Sequence, residues 1–188
     1  MSTNSKEAIL AAVRRTAMAH GYSGLNFRDL AEEVGIKAAS IYHHFPSKAD
    51  LGAAVAKRYW QDIAADLEIM SEEGPDPIGS LRRYPEIFRR SLESDNRMCL
   101  CSFMSAEYDD LPAPVKQEVQ AFADVNVAWL SKLLAAAGVA GPQESEKRAR
   151  AIFAAIAGAQ LLARSRADLS LYDSLIDSYR VAGLLPSR

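Results

Sequence analysis

The sequence predicts an all-α protein. Apolar residues recur with the period of about 3.6 residues that marks a helix, and they do so along almost the whole chain. Alternating apolar and polar stretches of strand length are absent. β-Branched residues are sparse, whereas the good helix formers Ala, Leu, Glu and Arg abound. The chain has 188 residues, which suits one domain or two small ones sharing a boundary.

The first four predicted helices have recognisable ends. Gly21 ends the first helix, and Asn26 caps the start of the second. Gly35 follows the second helix at once and suits a left-handed turn residue. Pro46 stops the third helix, and the sequence from Ser47 to Asp50 forms a capping box for the fourth.

The later helices are separated by proline-containing breaks. Residues 71–77 form the clearest break, after which Asp76 caps a fifth helix that has Pro77 at its first position. Pro85 lies inside that helix and should kink or split it. Residues 111–114 separate the sixth helix from the seventh. The nine predicted helices span about 5–20, 27–34, 38–45, 47–70, from 77 onward, 96–108, 115–137, 144–166 and 171–184.

Composition and charge exclude several classes of protein. With 22 basic and 24 acidic residues the net charge is −2, so no global basic field attracts nucleic acid. Two cysteines cannot form a disulfide framework and suit a reducing compartment. The N-terminus does not look like a signal peptide, and no apolar run is long enough to span a membrane. We therefore expect a soluble, cytoplasmic protein without a membrane partner.

No catalytic or cofactor-binding set is visible. All three histidines lie in the first 50 residues, and the chain has no Gly-rich phosphate loop, no G-x-S-x-G sequence and no metal-spaced Cys/His cluster. We therefore expect no enzyme activity, no cofactor and no metal site.

Residues 27–51 carry the functional signal. They form a short helix, a turn that opens with Gly35 and a second short helix, which is helix-turn-helix geometry. Ile41 and Phe45 lie one turn apart and can anchor the second helix to the core. The N-terminal residues of such a helix would lie nearest the bases in a DNA major groove.

The residue types around this unit suit DNA. Small side chains at Ala38 and Ala39 let the backbone approach base edges, while Tyr42 can reach phosphate oxygens. Lys48, at the first position of the fourth helix, would share a phosphate with free backbone N–H groups. The alternative is a solvated face without a ligand. The candidate DNA-binding residues are Arg28, Lys37, Ala38, Ala39, Ser40, Tyr42, His43, His44 and Lys48.

The segment resembles the DNA-binding module of the tetracycline-repressor (TetR) family over roughly residues 5–60. The sequence Y-H-H-F-P-S-K, from Tyr42 to Lys48, carries the resemblance, and Val34-Gly35-Ile36 supports it. The resemblance implies a three-helix helix-turn-helix domain, residues 1–50, followed by a six-helix ligand-binding and dimerisation domain, residues 51–188. It also implies a homodimeric repressor, released from a pseudo-palindromic operator by a small-molecule effector.

The last two predicted helices are candidates for the dimer surface. Small residues in 151–163 surround larger apolar ones, so another helix can approach closely. Intrachain core is the alternative for one face. In the resembling family these helices form a four-helix bundle between two copies. The candidate interface residues are Ile152, Phe153, Ile156, Leu175 and Tyr179.

The effector pocket is predicted from the placement of aromatic residues in the fifth to seventh helices, with Gln160 as a polar group. Plain core packing is the alternative for most of them. The candidate pocket residues are Tyr59, Trp60, Phe88, Cys99, Phe103, Met104, Tyr108, Phe122, Trp129 and Gln160.

Cys99 and Cys101 carry a second hypothesis. Residues two apart on a helix point about 200° from each other, so these thiols cannot easily bridge, and both can be buried apolar residues. The Cys-Leu pair and the Ser-Ala-Glu sequence ending at Glu107 resemble a TetR subgroup that senses electrophiles or oxidants, which implies Cys99 as the sensor. A helix start and Arg97 would lower the Cys99 pKa. The alternative function is a thiol-based redox protein or enzyme that uses Cys99.

Overall fold

The structure, a computed structural model, describes residues 3–74, 76–139 and 141–187, and within them every regular element is helical. The all-α prediction is therefore confirmed. The first predicted domain begins at Met1 and the second ends at Arg188. Met1, Ser2 and Arg188 lie outside the described residues. The helices are α1 Thr3–His20, α2 Phe27–Val34, α3 Ala38–His44, α4 Lys48–Glu73, α5 Pro77–Arg83, α6 Glu86–Glu93, α7 Leu100–Ala106, α8 Ala113–Ala136, α9 Pro142–Arg166 and α10 Leu169–Val181, with a 3₁₀ turn at Tyr108–Asp110.

The predicted caps of the early helices are confirmed. The Asn26 side chain accepts a hydrogen bond from the Arg28 N–H at 2.8 Å. Gly35 ends α2 with φ 72°, in the left-handed region. At the start of α4 the Asp50 N–H donates to Ser47 Oγ at 3.2 Å, and the Ser47 hydroxyl donates to Asp50 Oδ2 at 2.6 Å. Each cap satisfies backbone groups that the first or last turn of a helix leaves without a partner.

The predicted fifth helix is two helices. Pro85 lies between α5 and α6 because it has no N–H to donate and its ring crowds the preceding turn. The start of the predicted sixth helix is wrong by four residues. Asp95 and Asn96 have φ values of 57° and 53°, so they cannot continue or begin a right-handed helix, and α7 starts only at Leu100.

The first of two compact units comprises the residues up to Gln61 together with Cys99–Phe122. In it α1 packs against α2 and α7, and α2 packs against α3. Its core includes Ile9, Leu30, Ile41 and Leu51, all essentially inaccessible to solvent. Residues 3–50 lie wholly in this unit, so the three helices of the predicted DNA-binding domain share one core with α7.

The second unit comprises Asp62–Met98 and the residues from Ala123 onward. In it α9 packs against α10 and α6, and α10 packs against α6. Its core includes Leu81, Tyr84, Leu130 and Tyr172. The division at residues 1–50 and 51–188 stays a prediction. No helix in the described part of the chain is long and apolar enough to cross a membrane.

Candidate nucleic-acid interface

The turn between α2 and α3 is built by Gly35. Its positive φ reverses the chain, and the Ile36 N–H donates to the Ala31 carbonyl at 2.9 Å, which closes the end of α2. A Cβ at Gly35 would have open space around it, so the backbone conformation, and not crowding, accounts for glycine here. The two short helices therefore have a fixed turn between them, as the sequence predicts.

One face of α3 is anchored and the opposite face is free. Ile41 and Phe45 are buried, as expected for the anchor of this helix. Tyr42, the neighbour of Ile41, is 54% exposed, and the centre of its ring lies 4.5 Å from the centre of the Phe27 ring. The Tyr42 side chain is therefore held by ring packing while about half of it stays exposed to solvent.

The candidate DNA-binding residues fall into two groups by exposure. Arg28, Lys37, Ala39, Tyr42 and His43 are exposed, whereas Ala38, Ser40, His44 and Lys48 are half-buried. His44 Nε2 is buried and has no hydrogen-bond partner among the described residues. That nitrogen is turned toward the protein. Of the two imidazoles, the exposed His43 is therefore the better placed to contact DNA.

A groove of about 680 Å³ opens at the start of α2. Arg28 and Lys48 bring positive charge to it, and Tyr42 and Ala38 of α3 form part of its wall. The N-terminus of α2 contributes backbone N–H groups and the positive end of a helix dipole. Cations, a hydroxyl and a helix start are the groups that bind a phosphate. Asp29 also lines the groove, so its charge is mixed.

Lys48 has partners within the protein. Its Nζ donates to the Ser23 carbonyl at 3.0 Å and lies 4.8 Å from the centre of the Tyr22 ring. These contacts explain how a cation is tolerated at the start of a helix, where the helix dipole disfavours it. The ammonium carries three N–H donors, so a phosphate oxygen can join this arrangement.

Sequence reasoning missed Glu107. Its carboxylate accepts hydrogen bonds from the Tyr22 N–H at 2.5 Å, from the Ser23 N–H at 3.1 Å and from the Ser23 hydroxyl. Glu107 thus binds the same turn that holds Lys48. The separation of about 85 residues along the chain leaves no local pattern that could have indicated this contact.

The two cysteines are buried in the first unit. Cys99 immediately precedes α7, as expected, and the Tyr59 hydroxyl hydrogen-bonds to its thiol. Burial raises the Cys99 pKa, although hydrogen bonds from Ser102 and Tyr59 oppose the rise. Burial raises the Cys101 pKa further, and the charges of Cys99 and Glu118 add to it. The expectation of a lowered Cys99 pKa is therefore wrong, because desolvation outweighs the contacts at the helix start.

Both thiols are expected to resist alkylation at pH 7, by at least about a hundredfold relative to the denatured chain, because reaction requires local opening and ionisation. A pKa raised by folding also means that the thiols stabilise the fold below their unfolded pKa of about 8.5, and that this stability falls as the pH rises above it. Iodoacetamide labelling, with and without guanidinium, checks the first statement, and rapid modification of one thiol per native chain at pH 7 would contradict it. Urea denaturation below and above about pH 8.5 checks the second statement, which a stability that does not fall at the higher pH would contradict.

The candidate pocket residues are distributed over both units. In the first unit the Trp60 indole N–H donates to the Glu118 carboxylate at 2.8 Å. Phe122 packs on Tyr59 with 5.7 Å between ring centres. Met104 is also buried there, Phe103 is half-buried and Tyr108 is 46% exposed. None of the candidates lines the groove at the start of α2, the cavity between α8 and α9 or the cavity between α6 and α10. The pocket stays a prediction.

The remaining pocket candidates, in the second unit, have core contacts. Trp129 stacks on Tyr84 with 5.6 Å between ring centres, and Phe88 meets the same tyrosine edge-on. The Gln160 amide donates to the Phe88 carbonyl at 2.8 Å. These contacts are those expected for plain core packing, which is the alternative to a pocket that the sequence left open.

The candidate dimer residues also divide into two groups. Ile152 and Ile156 are inaccessible to solvent within a single chain, so they belong to its core and are not available to a second copy. Phe153, Leu175 and Tyr179 are half-buried. The exposed small and apolar residues in the part of α9 from residue 151 onward include others: Ala151, Ala154, Gly158, Leu161 and Leu162.

Comparisons with known proteins agree with this reading of residues 27–51. The sequence pattern of the family described as "Bacterial regulatory proteins, tetR family" matches residues 5–55. The transcriptional repressor AcnR of Corynebacterium glutamicum is 40% identical over 95 residues, which are 50% of this chain and 44% of AcnR. The transcriptional repressor NemR of Escherichia coli is 25% identical over 134 residues, 70% of this chain and 67% of NemR. The match to AcnR thus covers less than half of that relative's length.

The fold has close counterparts among solved structures. The crystal structure of a TetR transcriptional regulator from Legionella pneumophila has a TM-score of 0.89 and 29% sequence identity, covering 97% of both chains. These relatives are transcriptional regulators and not enzymes.

Proposed function

We propose that this chain, whose residues 5–55 match the tetR family of bacterial regulatory proteins, is a DNA-binding transcriptional repressor that acts as a homodimer. The observation that carries the proposal is the free face of α3. Tyr42 is exposed beside Ala39 and next to a groove that Arg28 and Lys48 border. A groove that offers two cations beside an exposed short helix is suited to a phosphate backbone and an adjacent major groove.

In this proposal α3 is the recognition helix. Ala38 and Ala39 let its backbone approach the base edges, and Lys37 and Ser40 supply donors at its N-terminal end. Tyr42 and Lys48 hold phosphates on either side, which positions the helix without reading sequence. Arg28 extends the phosphate contact from the first turn of α2. His43 is available to a phosphate, whereas His44 contributes through packing.

The second copy is proposed to dock on the exposed apolar face of α9 and α10. Leu161 is 59% exposed, Leu162 43% and Val181 90%, and small residues beside them allow a helix to approach closely. Leu175 and Tyr179 border this face on α10. In such a two-fold pair, recognition helices about 34–36 Å apart would match successive turns of one face of a duplex.

Release from DNA is proposed to follow from an effector that prefers a non-binding conformation. A ligand shifts this equilibrium only by as much as its affinities for the two conformations differ. A small molecule that binds non-covalently suits the structure better than modification of Cys99, since this thiol is buried and its pKa is raised. Modification remains the second candidate trigger, and it requires prior opening around α7.

The proposal is tested by fluorescence anisotropy of the purified protein with the DNA upstream of its own gene. We expect binding that resists unrelated competitor DNA and weakens steeply as salt rises. Absence of specific binding, both to this DNA and after selection from genomic fragments, would refute the repressor. The same assay with an electrophile, on the wild type and on Cys99→Ser, decides between the two triggers.

Tyr42→Phe is expected to weaken operator binding about tenfold, because a hydroxyl contact to a charged phosphate is lost. The thermal midpoint should not change, since the ring still packs on Phe27. Anisotropy and thermal denaturation measure the two effects. Tyr108→Phe is the matched control: Tyr108 is 46% exposed in the same unit, but lies outside the interface. An unstable Tyr42→Phe would mean that the hydroxyl is structural.

A further inference from the structure

The turn after α1 is held from two sides by charged side chains. On one side the Glu107 carboxylate accepts the N–H groups of Tyr22 and Ser23 and the Ser23 hydroxyl. On the other side the Lys48 ammonium bonds the Ser23 carbonyl at 3.0 Å and covers the Tyr22 ring. Residues 22 and 23 therefore separate an anion that follows α7 from the cation that begins α4.

The turn is shaped to receive the carboxylate. Gly21 leaves α1 with φ 69°, and a Cβ at this buried glycine would lie 2.2 Å from Glu107 Oε2. Both the backbone conformation and the close approach of the carboxylate therefore require glycine. Successive backbone N–H groups after a left-handed residue form a concave anion-binding site, and here a side chain of the same chain fills it.

The start of α4 packs on the same turn. A Cβ at Gly52 would lie 2.6 Å from the Tyr22 ring and 3.1 Å from Val115 at the start of α8. The first turns of α4 thus press closely on Tyr22. A displacement of Tyr22 and Ser23 would alter both the partner of Lys48 and the surface on which the first turns of α4 rest.

We infer that Glu107 is a positioning residue for DNA binding, acting through the turn at Tyr22 and Ser23 on Lys48. This inference rests on the proposed function, since it takes Lys48 as a phosphate contact. With the turn fixed by Glu107, the Lys48 ammonium is held at the Ser23 carbonyl, and Lys48 lines the groove at the start of α2. Without the carboxylate, three hydrogen bonds to the turn are lost, and Lys48 loses a fixed carbonyl partner.

Glu107→Gln tests the inference because it keeps the size of the side chain and removes the charge. Asp76→Asn is the matched control, since the Asp76 carboxylate also accepts two backbone N–H bonds, from Ile78 and Gly79, but caps α5 in the second unit. Amine-directed labelling with an acetylating ester, followed by mass spectrometry, reads out Lys48 without DNA. Exposed Lys37 is the internal reference.

In Glu107→Gln the labelling of Lys48 relative to Lys37 is expected to rise about fivefold, as for the loss of one ordinary hydrogen bond, and to stay unchanged in Asp76→Asn. Affinity for operator DNA should fall about fivefold at about 0.15 M salt, and the salt slope should fall by about one, the signature of one lost phosphate contact. When Lys48 is already replaced by alanine, Glu107→Gln should cause no further loss of DNA affinity and no further fall in the salt slope.

The outcomes separate this inference from the proposed function. Unchanged Lys48 labelling in Glu107→Gln overturns the inference, whatever the DNA result. Increased labelling in a protein whose wild type binds no operator supports the link between Glu107 and Lys48 while refuting the repressor. Additive losses of affinity in the double variant overturn the route through Lys48, because residues that act through one another are not additive.

Discussion

A chain in which Leu161 is replaced by glutamate is expected to be a monomer that has lost tight binding to a two-site operator. Leu161 is 59% exposed on α9, in the middle of the proposed interface. A two-fold interface would bury the new carboxylate twice, at a cost of about 3 kcal/mol or more each time. The dimer would then weaken by roughly four orders of magnitude, and the monomer would bind only one half-site.

Losing the second half-site should lower the apparent operator affinity by a factor of about 10² to 10⁴, because the avidity of two linked recognition helices is lost. Ile69→Glu is the matched control. Ile69 is 50% exposed on α4, so the substitution is chemically the same but lies outside the proposed face. Sedimentation and anisotropy measure the two effects. A Leu161→Glu chain that stays dimeric would remove α9 from the interface.

The local features of the fold could be predicted from the sequence because each is set by residues close together in the chain. Asn26 and Gly35 determine where α2 begins and ends, and Pro85 separates α5 from α6. The start of α7 could not be predicted in this way. Asp95 and Asn96 adopt positive φ, which non-glycine residues do only where surrounding contacts hold them: the Asn96 amide donates to the Arg164 carbonyl at 3.0 Å, from 68 residues further along the chain.

In the candidate site too, features set by residues close together in the chain could be predicted, whereas features set by distant residues could not. The exposed and anchored faces of α3 follow from the helical period of residues 38–45. The role of Lys48 depends on Ser23 and Glu107, which are far apart in sequence and meet only through packing. Sequence reasoning placed Ile152 and Ile156 at an interface because apolar residues mark both cores and interfaces. Only their burial within one chain distinguishes the two.

Tyr84→Ala is expected to have the largest effect on stability, a loss of about 3–5 kcal/mol. Tyr84 is inaccessible to solvent, stacks on Trp129 and meets Phe88 edge-on. Its hydroxyl donates to Asn126 Oδ1 at 2.8 Å, and both side chains are inaccessible to solvent. Domains are stable by only about 5–15 kcal/mol. The cavity that Tyr84→Ala leaves would therefore remove a large part of the free energy of unfolding.

Tyr84→Phe separates the two contributions of this side chain. It keeps both ring contacts and removes only the hydroxyl, so it should cost about 1–2 kcal/mol, the free energy of a buried hydrogen bond whose acceptor is left behind. Urea denaturation at one protomer concentration measures both variants, because the proposed dimerisation would make apparent stability depend on concentration. Tyr108→Ala, at an exposed tyrosine, is the control and should stay within about 0.5 kcal/mol of the wild type. If Tyr84→Ala cost no more than Tyr84→Phe, the hydroxyl and not the ring packing would stabilise this part of the second unit, and the stacking of Tyr84 on Trp129 would contribute nothing.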